Sequence, residues 1–172
     1  MDRDDEVRGR FRTFAGKTGL RWLVVLAVYG LALVFEYHGV RSSAHGGDVS
    51  LYASDAHAIA HGRIPYRDLY FEYPPGALVP ILAPEPAADY AAVFKALMAV
   101  VGAGVLVTAA SVVRRQGRSL VWPLLAIAVS PLAVGSVFVN RFDVWPALLT
   151  VAALALLVRG RGTAAFALLA VA

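Results

Sequence analysis

The sequence predicts an all-α, polytopic transmembrane protein, and three observations predict it. Of its 172 residues, 59% are hydrophobic and 16% are charged, where a soluble domain carries about a quarter charged. The apolar residues fall in blocks long enough to cross a bilayer core instead of alternating with polar ones. The basic residues cluster in the gaps between those blocks, the pattern that sets membrane orientation. The net charge of +4 is therefore a topology signal, and no nucleic-acid partner is expected. The chain has no cysteine, which excludes disulfides, thiolate catalysis and Cys-ligated zinc.

Taken in order, residues 1–19 form a basic tail, expected to be cytoplasmic and able to lie on anionic lipid. A first span covers about 20–37, with Arg21 and Glu36 at its ends, free to snorkel. A signal peptide cleaved near Ser42-Ser-Ala44 is disfavoured, because the basic start is long and more spans follow. A long polar loop, 38–89, comes next. Further spans are expected at 90–113, 119–139 and 144–158, the last short enough to extend into its flanks. Pro123 and Pro131 should kink the third, each freeing a carbonyl that neighbours must satisfy. The run 163–172 rises only ~15 Å as a helix, about half a bilayer core. The expectation is the N-terminal part of a longer transmembrane domain.

Charge by side gives the orientation. With the N-terminus inside, inner segments hold eleven basic residues and outer segments four, so the chain is predicted to be a multi-pass cell-membrane protein with a cytoplasmic N-terminus. The loop 38–89 and the turn Asn140-Arg141-Phe142-Asp143 then face the same outer compartment.

Within the loop, 48–62 reads as a helix. Asp48 suits an N-cap after Gly46-Gly47, Gly62 suits the left-handed position past the C-terminus, and Pro65 blocks continuation. Val49, Tyr52, Ala56 and Ile59 make an apolar stripe that could rest on the bilayer surface. A short apolar piece, 76–83, follows Pro74 and Pro75. Gly102-Ala-Gly104 reads as a close helix-packing point.

Three stretches carry a resemblance: Gly47-Asp48-Val-Ser-Leu-Tyr52, Gly62-Arg63-Ile-Pro65-Tyr66-Arg67-Asp68, and Glu72-Tyr73-Pro74-Pro75. Their order after the first span, with the later Asn140-Arg-Phe-Asp143-Val-Trp-Pro, resembles glycosyltransferase family 87. That family belongs to the C-type polyprenyl-phosphate-dependent membrane glycosyltransferases. The resemblance covers about residues 20–172, the N-terminal half of a typical member. It implies an inverting transfer of a mannose- or pentose-class sugar from a polyprenyl-phosphate donor to a glycan or glycolipid acceptor. It also implies a catalytic acid in the first outer loop, which falls on Asp48. No cofactor is expected beyond the lipid-linked donor.

The chemistry needs one carboxylate. Phosphate leaves as a stable anion, so the second carboxylate of glycoside hydrolysis is unnecessary. What remains is removal of a proton from the acceptor hydroxyl. The departing phosphate wants cations, for which Arg63, Arg67, Arg141 and Lys95 are candidates. Tyr52, Tyr66, Asp68, Glu72, Tyr73 and Asp143 complete the substrate-binding candidates. Tyr66, Tyr70, Phe71 and Tyr73 could stack on sugar or form an interfacial belt. Plainer roles compete. Asp48 could be a cap alone, Asp55 and Asp68 surface or turn acids, His38 and His45 loop residues. Lys95 could snorkel, and Asp143 could pair with Arg141 within its own turn. His57 and His61, four apart, could share a metal, but the sequence offers no third ligand, so no metal is expected. The rivals in function are a transporter or flippase, which predicts acids within span cores, and a non-catalytic scaffold or inactive fragment.

Overall fold

The computed structural model describes residues 3–38, 48–117 and 119–171, with the side chains of the first helix described from 19 to 36. The expectations for the cleavage site, His45 and the glycines before Asp48, and two of the counted basic residues, Arg41 and Arg118, concern residues outside that description, as do those for the side chains of His38 and of the basic start. The chain is 74% helix, with no strand among the described residues. Its helices are α1 (Arg3–His38), α2 (Asp48–Ala60), α3 (Leu78–Leu82), α4 (Tyr90–Arg115), α5 (Val121–Ala128), α6 (Ser130–Val134), α7 (Val137–Asn140), α8 (Val144–Leu157) and α9 (Gly162–Leu169), with a 3₁₀ turn at Pro75–Ala77 before α3.

Two of these helices are long and apolar enough to cross a membrane, Gly19–Glu36 and Tyr90–Arg115. Only 22% and 39% of their apolar windows are buried in the protein. A core helix of a soluble domain would hide most of its length. Instead Leu23, Leu31, Val100 and Val107 stand exposed, and so does Trp122 on α5. Large apolar side chains left exposed along helices of this length fit a protein or membrane contact.

α4 is the central helix. Asp89 starts it by accepting the Ala92 N–H at 2.9 Å, and Arg114 and Arg115 occupy its last turn, where cations oppose the helix dipole. It packs along α8 and against α7, α2 and α5, while α1 packs on α5 and α6, and α9 on α8. At one end of the bundle Arg114 lies over the Trp22 ring at 5.8 Å, and Arg159 reaches Ser111 Oγ at 3.3 Å. At the other end α2 sits over α3 and α4 through a core of Tyr52, Ala56, Phe71, Ile81, Phe94 and Met98.

Four local expectations change. The run 119–139 is three short helices. Pro123 lies in the first turn of α5, where its missing N–H breaks nothing. Pro131 does interrupt the helix, and Ser130 Oγ donates to the Ile127 carbonyl at 2.8 Å, the acceptor that a residue other than proline at 131 would have used. Gly135, with φ +73 and ψ −153, then turns the chain into α7, a conformation open only to glycine. α8 stops at Leu157 and does not extend. The stripe of α2 faces the protein instead of a bilayer, with Tyr52 and Ala56 fully covered. Glu36 does not snorkel: it is 5% exposed, and its Oε2 has no hydrogen-bond partner among the described residues.

Candidate functional site

α2 begins at Asp48 and ends as its sequence requires. Gly62 takes φ +90, its N–H bonds to the Ile59 carbonyl, and Arg63 N–H reaches the Ala58 carbonyl, a Schellman closure. The helix axis therefore holds Asp48 at one end and Arg63 beyond the other, ~20 Å apart by helical rise.

At the Asp48 end two distant turns meet. Arg141, in the turn between α7 and α8, places Nε 2.5 Å from Asp48 Oδ2. Phe142 is buried beside it, 5.5 Å from the Tyr52 ring and 5.0 Å from that of Tyr73. Tyr52 also packs on Phe94 of α4 at 5.4 Å. One turn of helix beyond Asp48, Tyr52 thus forms the floor of the cluster. Burial pushes its phenol up to about 12; Asp48 and Asp143 add to the shift, while the Tyr73 hydroxyl and Arg141 partly offset it. Burial and the neighbouring Glu72 raise the Tyr73 phenol as well. Both hydroxyls stay protonated at neutral pH; Tyr52 is buried, and Tyr73 is the more exposed of the two.

Asp143 does not pair with Arg141. It lines a cavity of 240 Å³ with Tyr29, Gly102, Phe138, Val144 and others, walled by α1 and by α4 to α8. The cavity is almost wholly apolar. The expected packing point is here: a side chain on Gly102 would run into the Tyr29 hydroxyl and lie 2.9 Å from the Phe138 ring.

The remaining candidates lie elsewhere or serve the loop. Asp68 is a turn former: its carboxylate accepts Ile64 N–H at 3.1 Å and two Arg67 bonds at 2.9 Å, and Arg67 holds it below the usual carboxylate range. Arg63 donates to the Asp68 carbonyl. Neither arginine reaches Asp48 in this arrangement. Tyr66 sits at φ +65, a strained position for a side chain, held by its hydroxyl donating to the Tyr73 carbonyl at 2.6 Å and by an edge contact with Phe71. Tyr70 is exposed and Phe71 buried. Lys95 is half-buried on α4 and lines a groove with Leu33, Val34 and Val139, on another face from Phe94.

Two acids depart from expectation. Asp55 is no surface acid: it is buried, and burial and then Glu72 raise its carboxyl. Glu85, which sequence spacing could not connect to α2, lies 3.8 Å from His57 Nδ1. Comparison of the chain with protein-family models, with curated proteins and with solved structures returns no match.

Proposed function

We propose that this chain is a multi-pass membrane glycosyltransferase unit that takes a sugar from polyprenyl phosphate and inverts its anomeric centre. The observation that carries the reading is the Asp48–Arg141 pair, which unites a base and a phosphate-binding cation from two distant turns. In the reaction the acceptor oxygen bonds to the anomeric carbon while Asp48 takes its proton. The bond from that carbon to the phosphate oxygen breaks, its electron pair leaves with the phosphate, and Arg141 meets the added negative charge. Donor phosphate competing for the guanidinium would free the carboxylate for the acceptor, so the pair doubles as a resting latch.

Other features support the reading. The order of the sequence motifs after the first span resembles the family. The 240 Å³ cavity is smaller than the ~300–1,000 Å³ that enclose a whole drug-sized ligand, so it suits the first stretch of a long lipid whose remainder lies outside. Tyr73, half-buried beside Tyr52, offers a hydroxyl to sugar or phosphate oxygens. The arginines at the opposite end of the bundle, Arg21, Arg114 and Arg159, fit a cytoplasmic N-terminus with the Asp48 cluster outward.

The test is direct. Membranes carrying the chain are given labelled mannosyl- or pentosyl-phosphopolyprenol and a glycolipid acceptor, and the product anomer is determined. Inverted product supports the assignment. Retained configuration, or transfer only from a nucleotide sugar, overturns it. One observation favours a second reading, a transporter: Glu36 is a buried acid at the end of a spanning-length helix, with one carboxylate oxygen unpartnered among the described residues. Solute flux abolished by Glu36→Gln, with no sugar transfer, would decide for it.

A further inference from the structure

We propose that His57, His61 and Glu85 bind a divalent cation of the zinc class, and that this ion staples α2 to the connection between α3 and α4. The site is independent of the glycosyltransferase reading. His57 lies in the last turn of α2 and His61 just past its end, with ring centroids 4.0 Å apart. Glu85 arrives from a different segment, just past α3, with Oε1 3.8 Å from His57 Nδ1. One ligand atom from each residue lies within 4.8 Å of the others.

The tautomer suits a metal. His61 Nδ1 is 2.8 Å from the His57 carbonyl; a carbonyl only accepts, so Nδ1 carries the hydrogen. The lone pair is then on Nε2, and the backbone bond orients the ring, as second-shell contacts do at metal sites. Zinc bonds of ~2.0–2.1 Å in a tetrahedron put ligand atoms ~3.3 Å apart. The three groups must therefore close by about 1.5 Å from their widest separation. The His57 side chain is 70% exposed and can turn, while Glu85 is 25% exposed and anchored. Two imidazoles and one carboxylate favour zinc and its transition-metal neighbours over magnesium or calcium, which prefer all-oxygen shells.

The position argues for a structural ion. His57 and His61 lie nine and thirteen residues past Asp48, ~13–20 Å along the helix, so the ion would not touch the Asp48 cluster. It would fix the far end of α2 instead, where among the described residues the His57–Glu85 contact is the one side-chain ion pair between α2 and Glu85's segment.

The experiment uses the whole chain in detergent, purified without a polyhistidine tag. Zinc binding is measured by calorimetry, cobalt binding by its visible ligand-field band, and folding by circular dichroism. One ion per chain is expected, with a rise in melting temperature on zinc addition. Losing a mere second-shell partner costs about 10–100-fold in affinity, so His61→Ala and Glu85→Gln should each weaken binding by at least ~100-fold while helix content stays unchanged. No saturable binding, or Glu85→Gln binding as tightly as wild type, overturns the proposal; the latter result would leave only a surface histidine pair.

Discussion

Replacing Asp48 by asparagine keeps the size of the side chain and an oxygen for Arg141 to bond, but removes the base. The structure separates the two consequences. The Asp48 and Arg141 side chains are 34% and 52% exposed, so their attraction is screened by solvent despite the 2.5 Å approach. Pairs this open contribute about 0.2–1 kcal/mol. For a chain of this size that is a melting shift of no more than ~4 °C. Loss of a general base, by contrast, costs about 10²–10⁴ in rate. Sugar transfer from polyprenyl phosphate, assayed in membranes beside a thermal melt of the purified variant, should therefore show a collapse in rate with nearly unchanged stability. Arg141→Met should also lower the rate, by loss of phosphate stabilisation. If Asp48→Asn keeps more than about a tenth of the wild-type rate, the carboxylate is not the base. If the melt falls far beyond the ion-pair scale, its role is to hold the turns together.

Three further outcomes test the architecture. Gly102→Ala should destabilise by about 1–3 kcal/mol through overpacking, because the new methyl meets Tyr29 and Phe138 and disturbs the Tyr29 bond to the Ala99 carbonyl; adding Tyr29→Phe should recover part of the loss in a thermal melt. Asp55 has a raised carboxyl in the fold, so it binds its proton more tightly folded than unfolded. Its contribution is most favourable in acid and is lost as pH rises through the folded value. Asp55→Asn should thus be the more stable protein at pH 7, with the gap closing in acid melts. Glu36→Met removes a buried oxygen that has no partner among the described residues and should raise stability by about 1–3 kcal/mol; sugar transfer should survive it, whereas a transporter would fail.

Much of this molecule is readable from short stretches of chain. Apolar length marks α1 and α4, Asp89 and the terminal arginines bound α4, and Gly62 ends α2. The capping signals act within about one turn of helix, through backbone hydrogen bonds and φ preferences that each residue carries with it, and apolar length is read directly from composition. Pro131 announced a break in the same way, though not that Gly135 would turn the chain again. What only the tertiary structure decided are the meetings between segments: Arg141 choosing Asp48 over Asp143, Glu85 arriving beside His57, Asp55 and Glu36 being covered. Charge and residue type say that such groups want partners. Which partner each finds depends on how α2 and the α7–α8 turn settle on α4, a matter of packing across the whole bundle that no local pattern encodes.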